Sequence, residues 1–465
     1  MRLILPFPTL FLAACGPALT PSVTKNPICD LSAVVTWTTR DPATSWVEVG
    51  QDDEAAFRVG DDTLVTEHRV IVVGMHAAER YQLEAVSVTE RGRELRSEVA
   101  DFTSGTVEPA YLQPAIDIPD PAALQPGWTI ANVITGSYSP ITVVLFDEGG
   151  RLVWYYVHDG DPGGADIVAS WLPESREVLI GPHVAAGERP FQMDLAGEVS
   201  WTGPEQPGEP DLLNIQDDQL HHVWTRLTNG NTVTVIAEER EVDGDEVQGD
   251  RVVELTPEGE EAWSWSAFDH LVYDPDDVFM GMWWTHMNSV NVDEERGFVY
   301  VNSWVLGKAW KIDRTTGGIL WTLGEGCDFA PDPLAEEPWF TDAHSFDPIG
   351  DDHYLFYDNG STDRHFSRVV EFALDEQDMQ AEIVWQYPEA PEDDVWYNMS
   401  GGDVDLLENG DLLVVANERI LELTRDHEIA WQLTWQATED LAELRSYQAS
   451  RIPALVEPLH NGVRH

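Results

Sequence analysis

Basic residues are scarce in this chain. Its 465 residues include 26 Lys and Arg against 84 Asp and Glu, a formal charge of −58. A surface of that sign repels polyanions, which excludes nucleic acid as a partner and disfavours adsorption to anionic lipid. It suits a salty medium, where screening over about 1 nm makes self-repulsion tolerable. Cysteine is rarer still, with three residues. Cys29 and Cys327 leave two readings open, a disulfide permitted by exported surroundings or two separate thiols. There is no phosphate-cradling glycine loop, no serine elbow and no heptad, so nucleotide-dependent chemistry and coiled-coil assembly have no support. Helical patterning is missing beyond a few turns, apart from "TEDLAELRSYQA" near the end.

Long apolar runs are also absent. The N-terminus, "MRLILPFPTLFLAACG", has an apolar stretch too short to span a bilayer, followed by Leu12, Ala13, Ala14 and Cys15. Small residues before a cysteine form a bacterial lipoprotein signal, so residues 1–15 are expected to be a signal peptide with Cys15 as the lipidated new N-terminus. That places the mature protein in the cell envelope, attached to a membrane through lipid rather than a spanning segment.

What the chain does have is aromatic residues, 10% of the total with 19 Trp, and short alternating runs. Residues 25–107 contain "AVVTWTT", "SWVEVG", "HRVIVVG", "YQLEAVSV" and "SEVADFTS", each bounded by turn-formers. They predict a small antiparallel β-sandwich. Trp37 and Tyr81 make this segment resemble a fibronectin type III module. The Pro-rich stretch 108–127 reads as an extended linker.

Residues 128–465 carry an internal repeat. A turn residue, aliphatics and then Trp recur in "GGRLVWYY", "GEVSW", "GEEAWSW", "GGILWTLG", "AEIVWQY" and "HEIAWQL". Trp154, Trp201, Trp263, Trp321, Trp385 and Trp431 lie 47, 62, 58, 64 and 46 residues apart, room for four short strands and their loops. Asn-Gly turns in "LTNGNTVTV" and "LENGDLLVV" supply the positive φ angles of tight hairpins. The expected fold is all-β, a six-bladed β-propeller preceded by the small sandwich.

Aligning the hairpins puts His222 of "HHVWTRLTNGN", His286 of "THMNSVNVDEERG" and His344 of "AHSFDPIGDDH" at one position, the entry to an innermost strand. Entries to innermost strands converge on a propeller's axis, so three consecutive blades are expected to aim a histidine at one pocket.

These runs, with "WWTHMNSVNV", "KAWKIDRTTGGILWTLG", "FYDNG", "SRVVEFALDEQDMQAEIVWQY" and "YQA", resemble the bacterial arylsulfotransferases from about Trp128 onward. The resemblance implies transfer of a sulfuryl group from a phenolic sulfate to a phenol through a sulfated histidine, with small aromatic sulfates or phenols as partners and no nucleotide sulfate donor or other cofactor. It implies roles for His286, His344 and Arg368. The planar fork of Arg368 suits it to clamping sulfate, and His286 and His344 suit proton transfer to and from phenolic oxygens. Asn288 is a candidate to orient a histidine or the sulfate, and Tyr447 to line the channel. Two departures stand out. Asp405 of "GGDVDLL" occupies the expected position of the nucleophilic histidine, leaving His222 as a substitute nucleophile or Asp405 as a general base. Trp304 of "NSWV" replaces an arginine. Two other functions compete: a metal-dependent enzyme using the three histidines with Asp403 or Asp405, and a binding propeller that has lost its nucleophile.

Overall fold

The computed structural model describes residues 19–51, 54–107, 112–135, 142–157, 167–182, 189–205, 219–281, 283–333, 335–361, 364–389, 396–437 and 444–459. Cys15, the signal segment 1–15 and residues 438–443 of the expected helical stretch lie outside them. The chain divides into two units, Met1–Thr106 with Leu455–His465, and Val107–Ala454.

In the first unit the strands form a seven-stranded antiparallel sheet built on a long hairpin, Ala33–Gln51 against Glu54–Val72. The hairpin shifts register between Thr38 and Ala43 and again by Ser45. One core gathers Val35 and Trp37 before these shifts with Val47 and Val49 after them, so the sheet folds over itself around Tyr81, Leu83 and Phe102. Glu457–Pro458 joins the edge of this sheet, although the sequence placed it with the propeller. Cys29 is buried in this unit.

The second unit is a six-bladed β-propeller. Each blade is an antiparallel sheet, and the blades after the first begin at their innermost strands Ile167–Leu172, Leu220–Arg226, Met287–Asp293, Phe346–Gly350 and Asp403–Leu406. The first blade holds Trp128–Val133, Thr142–Phe146 and Leu152–Val157, and its innermost strand is Ala449–Ile452 from the far end of the unit. Both ends of the propeller chain thus share one sheet and close the ring. At the outer edge of the sixth blade, Ala115–Asp117 pairs with Gln432–Thr434. Part of the expected linker 108–127 is therefore a fifth strand of that blade.

The repeating tryptophans all fall on fourth strands. Five of their indole N–H groups donate to the hairpin before the fourth strand of the next blade: Trp154 to the Leu195 carbonyl, Trp201 to Pro257, Trp263 to Arg314, Trp321 to the Glu376 carboxylate and Trp385 to Arg425, at 2.8–3.0 Å. In every blade but the fifth, where Met379 six residues before Trp385 has φ 50°, a residue four before the Trp makes the turn in the left-handed region. It is glycine in four blades, while His427 takes this conformation in the sixth with φ 65°. The repeat is a belt of inter-blade contacts, which explains why it counts blades. Cys327 is a free thiol in the fourth-blade region. No helix among the described residues is long and apolar enough to cross a membrane.

Candidate functional site

A cavity of about 150 Å³ is walled by residues of the innermost strand of every blade, among them Val168, Val223, Asn288, Asp347, Asp405 and Ser450, which places it on the propeller axis. His344 and Tyr447 also line it. Ring contacts continue outward as a chain: His344 lies 6.1 Å from Tyr447, Tyr447 6.2 Å from His222, and His222 4.8 Å edge-on to His286. The three expected histidines do converge. Tyr447, expected to line the channel, is the ring between them.

Two of these histidines sit on unusual backbone. His222 has φ 61° and His286 φ 47°. A β-carbon in that region costs about 1–2 kcal/mol, and the expense recurs in two adjacent blades at the same site. His222 lies in the innermost strand of the third blade, where a register break between His221 and Thr225 frees the backbone from the ladder. His286 directly precedes the fourth blade's strand, and its carbonyl accepts from Trp304 N–H.

The neighbouring His221 is fully buried and links this pair to a buried carboxylate. Its Nε2 lies 3.1 Å from Asp250 Oδ1, and its Nδ1 lies 2.6 Å from His222 Nδ1. Asp250 Oδ2 accepts from the Thr285 hydroxyl at 2.5 Å and from Met287 N–H at 2.6 Å. Burial opposes ionisation of Asp250. The hydrogen bond from His221, the charges of His221 and His286 and the Thr285 hydroxyl outweigh it and hold the carboxyl below its ordinary value. An ionised Asp250 requires the proton on His221 Nε2. When His221 is neutral its Nδ1 is the acceptor, His222 Nδ1 donates to it, and the lone pair of a neutral His222 falls on Nε2.

The same bookkeeping orients His344. Asn359 Nδ2 donates to the Asn398 and Gly401 carbonyls, both at 2.8 Å, so Asn359 Oδ1 is an acceptor. It faces His344 Nδ1 at 2.9 Å, and the Asp342 carbonyl lies 3.3 Å from the same nitrogen. The proton belongs on Nδ1, and His344 also presents Nε2 as a lone pair. Asn288 and Asn302 both donate to the Ala343 carbonyl, at 3.1 and 2.8 Å, and brace the residue before His344. Asn288 therefore positions the backbone at His344, while its own Oδ1 has no hydrogen-bond partner among the described residues.

Arg368 is not brought to this group. It opens the third strand of the fifth blade, and its guanidinium binds Asp358 Oδ2, Gln386 Oε1 and the Glu337 and Trp339 carbonyls at 2.8–3.0 Å. With its fork so engaged and the residue 3% exposed, it ties strands together and cannot clamp sulfate. Asp358 also receives Arg364.

Asp405 does not stand where the histidines stand. It is the third residue of the innermost strand Asp403–Leu406, paired with Leu413. The entry position of the sixth blade is Gly401-Gly402, and a β-carbon on Gly401 would lie 2.9 Å from the Tyr447 ring. Tyr447 fills the place of a sixth-blade side chain. Asp405 instead groups with Asp347 and Asp403, the one set of three potential ligand residues among the described residues whose oxygens lie within 4.8 Å of one another. The histidines form no such set, which leaves the metal-dependent expectation without a histidine centre there. Burial, then mutual repulsion, pushes Asp405 up to about 7 and Asp403 well above its ordinary value, and burial raises Asp347 to about 6.

His221, Asp250 and Asn359 were not singled out from the sequence. The "HH" doublet was a visible signal. Asp250 was not, because it lies in a third strand 29 residues from its partner.

Residues 120–445 match the family model described as Arylsulfotransferase (ASST). No curated protein matches the chain. Among solved structures, Sqt1 of Saccharomyces cerevisiae is similar at 9% identity and TM-score 0.32, covering 91% of this chain and 98% of its own. Kluyveromyces lactis Hsv2p is similar at 7% and 0.30, with 89% and 100% covered, and apo AztD of Citrobacter koseri at 10% and 0.25, with 87% and 97% covered. At these scores the likenesses carry no argument about the site.

Proposed function

Since the chain belongs to the arylsulfotransferase family, we propose that it moves a sulfuryl group from a phenolic sulfate to a phenol within the axial pocket. The observation that carries this reading is the convergence of His222, His286 and His344 around Tyr447. His344 lines the cavity and presents Nε2, which makes it the nucleophile of the proposal. Its lone pair forms the N–S bond as the S–O bond to the aryl oxygen breaks, and the departing phenolate takes a proton from His286. In the second half, the acceptor phenol gives its proton to His222 Nε2 as its oxygen attacks sulfur and the N–S bond breaks, and passage of that proton from His222 to the adjoining His286 ring restores the acid for the next cycle. Asn359 on His344 Nδ1 spreads the charge of the sulfated imidazole. The lipoprotein-like segment ending at Cys15 supports an envelope location and exported substrates.

The test is incubation with 4-nitrophenyl sulfate, with and without phenol. Nitrophenolate released only with phenol, and lost in His344→Ala, is the expected result. Release without phenol would make the protein a sulfatase. One observation favours a binding propeller without turnover: no Arg or Lys is among the described residues walling the axial cavity. Tight binding of aryl sulfate with no release under either condition would establish that alternative.

A further inference from the structure

No Arg or Lys is among the described residues walling the axial cavity, which leaves open what holds the sulfate oxygens in so acidic a protein. Around His286 the structure places three aromatic side chains. Trp283 stacks on the imidazole at 4.7 Å and 28°, and Trp304 meets it edge-on at 5.5 Å. Phe279 closes the group, 4.9 Å from Trp304 and 6.2 Å from Trp283. The arrangement is anchored through the backbone. Phe279 and Trp283 exchange both N–H to carbonyl bonds, Trp284 N–H reaches the Gln248 carbonyl, and Trp304 N–H reaches that of His286.

The polar atoms of this box are unusual. Five of the repeating blade tryptophans satisfy their indole N–H on the next blade. The indole N–H groups of Trp283 and Trp304 are buried and have no acceptor among the described residues. Trp283 is 9% exposed. Trp224, Trp284 and Trp431 share this lack, but Trp283 and Trp304 are the two that contact a site histidine. A buried unpaired donor is expensive, and two around one catalytic ring point to acceptors supplied by a ligand. Beside them Phe279 is 41% and Met280 70% exposed, an apolar lip where a ring can lie.

We infer that Phe279, Trp283 and Trp304 form an aryl sulfate subsite in which two neutral indole donors hold the sulfate oxygens and the Phe279 lip takes a fused aromatic ring. The inference rests on the sulfotransfer reading above for its ligand class. Neutral donors suit this protein because they add no cation for the surrounding carboxylates to capture, and they hold an anion without depending on low salt.

The experiment measures binding of 1-naphthyl sulfate and of 1-naphthol to wild type, Trp283→Phe and Trp304→Phe, with 4-nitrophenyl sulfate turnover recorded in parallel. Phe keeps the ring face and removes the N–H. Each variant is expected to bind the sulfate ester about 10- to 100-fold more weakly, the value of one hydrogen bond to a charged acceptor. Naphthol affinity should change by less than about threefold, which also shows that the pocket remains folded. Wild-type affinity for the ester should hold or rise as NaCl goes from about 0.05 to 1 M, since screening relieves the acidic field. Unchanged ester binding in Trp304→Phe, equal losses for ester and naphthol, or affinity that collapses with salt would each overturn the subsite. If the binding pattern holds and turnover is absent, the transferase reading fails while the subsite stands. If turnover is present and the variants bind the ester unchanged, the subsite fails while the transferase reading stands.

Discussion

Asp250→Asn is the substitution that most directly probes how the site works. The carboxylate receives three hydrogen bonds, from His221 on one oxygen and from Thr285 and Met287 on the other. An amide has one acceptor oxygen. Two donors claim it on the Thr285 and Met287 side, which turns the amide NH2 toward His221 Nε2. His221 must then accept there and donate from Nδ1, so His222 accepts at Nδ1 and carries its proton on Nε2. One exchanged atom, in a residue 3% exposed, inverts two tautomers and removes the pocket's proton acceptor. Loss of a positioned general base costs about 10²–10⁴ in rate. Exchanging charged for neutral hydrogen bonds should lower stability by about 1–3 kcal/mol. The assay is kcat and KM for sulfuryl transfer to phenol, with the ring nitrogens followed by NMR of 15N-histidine protein. We expect kcat to fall at least about 100-fold with KM little changed, and the His222 Nδ1 and Nε2 signals to exchange character. Thr285→Val removes one of the two donors on that oxygen and should give a smaller loss. A kcat within about twofold of wild type between about pH 6 and 9, or His222 signals that do not move, would refute the relay.

Three further outcomes follow from the geometry. Arg368→Lys should reduce stability by about 2–4 kcal/mol, because four hydrogen bonds of a buried guanidinium are lost, yet leave KM for the aryl sulfate unchanged; a selective rise in KM would return Arg368 to the substrate. Asp405→Asn should raise Tm at about pH 8, with the gain closing as pH falls toward about 4. The folded chain binds the Asp405 proton more tightly than the unfolded chain, so this group's stabilisation is complete below about pH 4 and lost as pH climbs through about 7. A gain independent of pH would show that charge relief is not its cause. Gly402→Ala should destabilise by more than about 3 kcal/mol, since φ is 101° and the new carbon would fall 2.2 Å from the Tyr357 ring; urea denaturation with a normal midpoint would disprove that close packing.

The sequence by itself determined the fold class, the blade count and the meeting of His222, His286 and His344. These features repeat along the chain: a belt tryptophan and a strand entry recur at each blade, so local spacing is enough to read them. Tertiary structure decided what each group is free to do. By residue type Arg368 suits a sulfate clamp, but Asp358, Gln386 and two carbonyls occupy its fork. By sequence Asp405 takes the position of the nucleophilic histidine as a candidate general base, but the pleat sets it within the strand beside Asp347 and Asp403, and Tyr447 fills the vacant entry. Asp250 joined the site only because the third strand of its blade runs back past His221. Periodicity carries which blade a residue belongs to. Protonation and hydrogen-bond occupancy depend on partners from other strands and blades, which only the closed ring brings together.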